Sequence, residues 1–307
     1  MSGRVEVSRS ATLESSFKDR DLESFADIYL YRPIGFVLAR AFARLRFTPS
    51  MVSLLGATIG IVAGHFYFYP DLRLNALGML LHVCTNILDN VDGQLARLTN
   101  SGSLQGAITD GFADYVVFLS VYIHLCLRYM AEGGSAAVWL LGLAAGASHG
   151  VQSMMIDHYR NAYLQFVSGK RSADANSSES VRAAFDAVSW RSFFKKLGLR
   201  SYLNYARQQE MLAPELLRLR LAVGTSAPEW FRDEFRARCR PLVKWCNVLA
   251  TNPRMLILFA LLFLGRPVWY FAVEISLLNA VLVYVLVRHR AAFHSLAQSW
   301  SAPQPLA

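Results

Sequence analysis

The chain has 307 residues, of which 54% are hydrophobic and 17% charged, and a formal net charge of +9. Its apolar residues fall into long runs, which excludes one large soluble domain, and its basic residues flank those runs, which points to lipid headgroups and away from nucleic acid as the anionic partner. The four cysteines show neither disulfide nor metal-ligand spacing, with Cys84 and Cys126 in apolar runs and Cys239 and Cys246 in a polar segment, so free thiols are expected.

The N-terminal arm, residues 1–46, opens on a mostly polar stretch over 1–27 with no apolar core, so no cleavable signal peptide is expected. Within it, Leu13, Phe17, Leu22, Phe25, Ile28 and Tyr29 form an imperfect helical stripe over 13–32 that should end before Pro33. Such a helix lies on a membrane surface or packs on the protein's own cytoplasmic face. The run FTPSMVSLLG follows, in which Thr48 and Pro49 are placed to open a helix as N-cap and first helical residue.

Six membrane spans are expected, at 48–69, 73–95, 105–129, 135–157, 250–265 and 267–287. The division is then a region of four spans over 47–165, a helical insertion over 166–249, two spans over 250–290 and a tail over 291–307. In the insertion a polar linker, GKRSADANSSES, precedes helical patterns around 180–197, 201–220 and 228–246. Trp190, Phe193, Phe194 and Tyr202 lie there between basic residues, as in a cap with membrane-facing aromatics, a substrate entrance or a dimer contact. Of the 31 Lys and Arg residues only Arg73, Arg128 and Arg266 fall on one side of this topology, so the positive-inside rule puts both termini in the cytoplasm.

The most informative stretch joins the second and third spans: DNVDGQLARLTNSGSLQGAITDGFAD. Asp89 and Asp92 are three residues apart and Asp110 and Asp114 four apart, so each pair shares one face if its segment is helical. Aspartates near hydrocarbon cost roughly 2.5–3.5 kcal/mol each, so four of them call for a compensating cation. Carboxylates without Cys or His select Mg²⁺ or Mn²⁺. Two such ions bridge a diphosphate well, a further carboxylate can take a proton from an attacking hydroxyl, and Arg97 offers a fork for a phosphate oxygen.

With Arg97 the run reads D-x-x-D-G-x-x-A-R, eight residues, then G-x-x-x-D-x-x-x-D, and this resembles the signature of the CDP-alcohol phosphotransferases. The resemblance implies an all-α integral membrane enzyme, homodimeric, that joins a CDP-activated group to an alcohol and releases CMP. It implies that Asp89, Asp92 and Asp110 are metal ligands and that Asp114 completes the metal site and acts as base. Asp89, Asp92, Gly93, Ala96, Arg97, Gly106 and Asp110 would receive the CDP part. The expected substrates are CDP-diacylglycerol and a polar alcohol, used at the cytoplasmic face of an inner membrane.

The end of the fourth span, SHGVQSMMIDHYRNAYLQFVSGK, is polar for its place, and with DGQLARLTNSGS it resembles a bacterial subgroup associated with inositol lipid synthesis. Inositol or inositol phosphate is therefore the first choice of acceptor, with His149, Arg160, Lys170 and Arg171 as its candidate contacts. Tyr115 stands where transferases acting on inositol phosphate and glycerophosphate commonly carry a basic residue. Glycerol 3-phosphate, serine, or donation from CDP-choline or CDP-ethanolamine to a lipid alcohol are the alternatives within the class. A divalent-cation transporter is the alternative outside it, but a transporter would carry its aspartates at mid-membrane on broken helices.

Overall fold

The computed structural model describes residues 19–169, 177–224 and 227–301, and every regular element among them is helical. A π-helical turn, Asp27–Tyr31, leads into α1 (Arg32–Arg44), followed by α2 (Pro49–Phe66), α3 (Leu72–Leu98), α4 (Leu104–Ala131) and α5 (Val138–Ser168). Then come α6 (Ser178–Ala187), α7 (Phe193–Leu212), α8 (Pro214–Val223), α9 (Glu229–Val248), α10 (Thr251–Phe263) and α11 (Trp269–Val273). A second π-helical turn, Glu274–Leu278, runs into α12 (Asn279–Ser301).

The chain divides into two compact units, one made by the residues up to His149 with Thr251–Ile275, the other by Gly150–Ala250 with the residues from Ser276 on. In the first, side chains start the helices as their sequences require. Thr48 accepts a hydrogen bond from the Met51 amide with Pro49 opening α2, and Asp71 and Ser103 accept from Arg73 and Gly106 at the starts of α3 and α4. Glycine then lets α2 approach its neighbours. A Cβ on Gly60 would lie 2.5 Å from Val117 Cγ2, and one on Gly64 would lie 3.0 Å from the α4 backbone at Ser120 and Val121. Close approach over small residues is how helices gain packing energy in lipid, where burial from water gives no drive.

Around this contact, beside the small group Ala57, Ala113 and Val117, two larger apolar clusters lie among the described residues of the unit. Tyr67, Met79, Tyr122, Leu125, Leu258 and Phe271 form one. Ala39, Val52, Leu88, Val91 and Leu95 form the other, where α1 meets α2 and α3. The helical path does not stop before Pro33: α1 runs through it, with Pro33 at its start. The π turn just before supplies the reason, since its wider winding ends where proline's missing N–H would otherwise break the ladder. Leu22 and Tyr31 are buried while Phe25, Tyr29 and Val37 are exposed; residues 13–18 of the expected stripe lie outside the described residues.

Four helical stretches among the described residues are long and apolar enough to cross a membrane: Pro49–Phe66, Leu104–Ala131, Glu229–Phe263 and Trp269–Ser301. The chain is on that ground a membrane protein. Of the expected spans, α3 and α5 have the length, at 27 and 31 residues, but polar positions such as Asn75, His82 and Asn86 in α3 and Ser148, His149 and Gln152 in α5 lower their apolar character.

The second unit is built around aromatic rings. Phe166 of α5 meets Phe231 and Phe235 of α9 with ring centroids 5.6 and 4.9 Å apart, and Tyr159 stacks on His289 of α12 at 3.9 Å. Two of the three helical patterns expected in the insertion are interrupted. Residues 188–192 separate α6 from α7, and Ala213, kept out of the helical region before Pro214 with φ −132° and ψ 60°, separates α7 from α8. Toward its C-terminus α5 continues to Ser168, eleven residues past the expected end of the fourth span at 157.

Arg128, expected on a loop, sits in the last turn of α4 with its side chain 4% exposed. Its Nε donates to Glu132 Oε1 at 2.9 Å, and its Nη1 to the Tyr67 carbonyl at 3.3 Å and Asn75 Oδ1 at 3.0 Å. Asn75 in turn donates to the carbonyls of Phe66 and Tyr69 at 3.0 and 2.8 Å. One guanidinium thus fixes the turn between α2 and α3. Arg128→Met should lower the thermal midpoint of the purified protein in detergent, at a cost of about 1–3 kcal/mol for leaving the buried Asn75 Oδ1 and the Tyr67 carbonyl without this donor. An unchanged midpoint would remove Arg128 from the fold's supports.

Candidate active site

The C-terminal third of α3 and the N-terminal third of α4 carry the motif, and α2 closes the third side. A cleft between them is lined by Asp89, Asp92, Asp110 and Asp114 together with Ser53, Thr85 and the small residues Gly56, Ala57 and Ala113. Asp89, Asp92 and Asp110 each offer one carboxylate oxygen within 4.8 Å of the others. Asp114, one turn beyond Asp110, lines the same cleft outside that triad. The helical spacing read in the sequence thus puts both pairs on facing sides of one cleft.

The three carboxylates differ in exposure: Asp92 is buried, Asp110 half-buried and Asp89 exposed. Asp92 is held from α2, where Ser53 Oγ donates to Asp92 Oδ2 at 2.5 Å in a buried contact. Sequence reasoning missed Ser53; its only signal was a place four residues past Pro49, on the helix face that α3 covers. Thr85, also missed, donates from Oγ1 to the Gly56 carbonyl at 3.3 Å and ties α3 to α2 two turns before Asp92.

Oxygens on opposite sides of a Mg²⁺ ion stand about 4.2 Å apart and adjacent ones about 3 Å. An all-oxygen set within 4.8 Å therefore fits a divalent cation of this hardness and size. The fit has an electrostatic side too, because three carboxylates this close, one of them buried, repel one another unless positive charge stands between them.

Further along α3, Gly93 and Arg97 lie one turn apart. A Cβ on Gly93 would sit 3.5 Å from Arg97 Nη1 and meet nothing nearer. Two guanidinium nitrogens of Arg97, Nε and Nη2, are buried without a hydrogen-bond partner among the described residues. Buried donors of this kind are costly unless a ligand or water meets them. Ala96 and Gly106 are half-buried, and the Gly106 amide is turned to Ser103 Oγ at 3.1 Å.

The remaining expected residues are placed as follows. His149 Nδ1 lies 3.1 Å from the Tyr122 hydroxyl and 3.9 Å from Glu274 Oε1, and its ring stacks on Phe118 with centroids 4.5 Å apart. Glu274 receives Arg254 Nη1 on both oxygens at 2.6 and 2.7 Å. Arg160 donates from Nη2 to Asn247 Oδ1 at 2.6 Å. Tyr115 is exposed, its ring 5.1 Å from that of Phe118. Lys170 and Arg171 lie outside the described residues.

Residues 46–171 match the family model described as CDP-alcohol phosphatidyltransferase, and the match spans α2 to α5 and contains the whole cleft. This stretch is a domain of that family, a family of phosphotransferases that make phospholipids from CDP-alcohols. No curated protein matches the chain.

The two kinds of glycine in this region should separate in experiment. Gly64→Ala drives a Cβ against the α4 backbone and should destabilise the protein by about 1–3 kcal/mol, the cost of overpacking. Gly93→Ala meets only ordinary contact and gains up to about 1 kcal/mol of helix propensity, so its thermal midpoint should hold or rise. A lower midpoint for Gly93→Ala than for Gly64→Ala would contradict this geometry.

Proposed function

We propose that the protein transfers the phosphatidyl group of CDP-diacylglycerol to a polar alcohol with release of CMP, and that the alcohol is inositol or inositol phosphate. The observation that carries the reading is the convergence of Asp89, Asp92 and Asp110 in one cleft that Asp114 also lines, with Gly93 and Arg97 on the same helix. Asp89, Asp92 and Asp110 would hold Mg²⁺ or Mn²⁺, two ions in all, with Asp114 completing the set. Bound there, the metal supplies the charge that polarises the diphosphate and stabilises the departing nucleotide.

The chain's own residues do the rest. Gly93, with no side chain in the way, leaves room for a nucleotide against α3, and Ala96 and Gly106 are equally small. Arg97 turns its buried donors to a phosphate oxygen, a geometry that lysine does not match. Asp114 takes the proton of the acceptor hydroxyl as its oxygen bonds the phosphorus bearing the diacylglycerol, and the bond from that phosphorus to the CMP oxygen breaks. Ser53 keeps the Asp92 carboxylate turned into the cleft.

The membrane arrangement that goes with this chemistry has α2, α3, α4 and α5 as the first four of six spans in an inner membrane, with both termini and the cleft on the cytoplasmic side. The exposed Phe25, Tyr29 and Val37 fit an N-terminal helix lying on the membrane surface. The enzyme would act as a homodimer, and residues 166–249 would stand on the cytoplasmic side.

The test is CMP release by purified protein given CDP-diacylglycerol, Mg²⁺ or Mn²⁺, and each of inositol, inositol phosphate, glycerol 3-phosphate and serine in turn. Product with an inositol acceptor supports the reading; product with glycerol 3-phosphate or serine alone overturns the choice of acceptor. Asn at Asp92 or Asp114 should lower turnover at least about 10²-fold. Ser53→Ala should instead raise the metal concentration for half-maximal rate about 10-fold, the usual scale for removing a hydrogen bond to a ligand.

If the acceptor carries a phosphate, Arg160, proposed with His149, Lys170 and Arg171 to serve it, should matter to that substrate alone. Arg160→Ala would then raise the KM for inositol phosphate about 10- to 100-fold and leave that for CDP-diacylglycerol unchanged. Equal effects on both substrates would make Arg160 a structural residue.

A further inference from the structure

Lys196, near the start of α7, is 6% exposed although it is a lysine. Its Nζ donates to the carbonyls of Phe185 and Val188 at 2.5 and 2.7 Å and stands 3.9 Å from the Phe185 ring centroid and 5.6 Å from that of Trp190. The ammonium thus caps the open C-terminal end of α6 and pins it to the first turn of α7. The corner between the two helices is held in one shape from inside.

What that corner presents outward is apolar and cationic. Trp190, Phe193, Phe194 and Leu197 are 54%, 53%, 86% and 45% exposed. The rings of Trp190, Phe193 and Phe194 follow one another with centroids 6.5 and 5.6 Å apart. Arg191, Lys195 and Arg200 are exposed among them, and the stretch VSWRSFFKKLGLR contains four basic residues and no acidic one. Adjacent exposed aromatics on a soluble surface mark an interaction site.

We propose that the corner between α6 and α7 is a peripheral membrane anchor, in which Trp190, Phe193 and Phe194 enter the interfacial layer of an anionic bilayer and Arg191, Lys195 and Arg200 meet its headgroups. Charge complementarity selects this occupant. A mainly cationic rim around aromatic rings, with Asp186 of the last turn of α6 lying 3.8 Å from Arg182, matches a lipid surface carrying negative charge, where Trp settles at headgroup level and basic side chains reach up to phosphates. The unit bearing the corner also includes α12, which belongs to the candidate span Trp269–Ser301, so the corner is tied by its own chain to a bilayer. A tether raises the local concentration of lipid, and a small patch then suffices. This anchoring does not depend on the chemistry of the aspartate cleft.

The test uses the full chain reconstituted in vesicles. A nitrobenzoxadiazole probe is placed on Phe194→Cys and, as reference, on Gln208→Cys, an exposed position about 20 Å further along α7. Wild type labelled in parallel gives the background of the four native cysteines, three of them buried. In vesicles of phosphatidylcholine with phosphatidylglycerol, lipid-borne nitroxide should quench the probe at 194 at least about two-fold more than at 208, and the replacement of Arg191, Lys195 and Arg200 together by Gln should reduce that quenching. Equal quenching at the two positions, or a water-like emission at 194, would overturn the proposal. So would equal quenching with and without phosphatidylglycerol, since charge is what selects the lipid. An apolar emission at 194 that nitroxide lipid leaves unquenched would assign the corner to a second copy of the chain instead.

Discussion

Like charge gathered in an apolar frame is the constraint on which the site depends. Two carboxylates about 4 Å apart repel by roughly 4 kcal/mol at an effective dielectric of about 20, and Asp89, Asp92 and Asp110 make three such pairs. Near hydrocarbon there is little water to spread that charge. The helices hold the three together most easily if positive charge offsets the repulsion, and hard oxygen donors suit a divalent cation for that part. The rest of the architecture serves this gathering: Gly60 and Gly64 bring α2 against α4, Thr85 ties α3 to α2, and Ser53 reaches across to the most buried carboxylate.

Polar groups placed inside the apolar frame recur across the first unit. The Arg128 cluster closes the turn between α2 and α3, and the Arg254–Glu274 pair, 3% and 0% exposed, joins α10 to the π turn ahead of α12. Asn252 of α10 bridges Asn86 Nδ2 at 3.2 Å to Ser24 and Asp27 of the N-terminal segment at 3.3 Å. Burying an ion pair costs more desolvation than it usually returns, so such pairs specify geometry more than they add stability. Here they fix helix ends and turns of the first unit.

The motif was legible because its information is local. Spacings of three and four residues on helices put Asp89 with Asp92 and Asp110 with Asp114, and Thr48 and Pro49 marked the start of α2 as the structure has it. What escaped was long-range. Ser53 meets Asp92 across 39 residues of sequence, and nothing near a serine in an apolar helix announces that partner. Counting charges placed Arg128 on a loop because the count does not see Asn75 or the Tyr67 carbonyl, whose contacts bury it. Pro33 read as a stop because proline removes an N–H, yet the path runs through it from the π turn into α1.

Direct measurement of metal on the protein bears on the central claim without reference to any acceptor. Mn²⁺ titrated into the purified protein and followed by electron paramagnetic resonance should bind in the micromolar to millimolar range, more tightly when CDP is present, with that binding lost in Asp92→Asn while the variant keeps its thermal midpoint. Binding of Mn²⁺ that is indifferent both to CDP and to Asp92→Asn would contradict the account, because the gathered carboxylates would then not be what holds the cation.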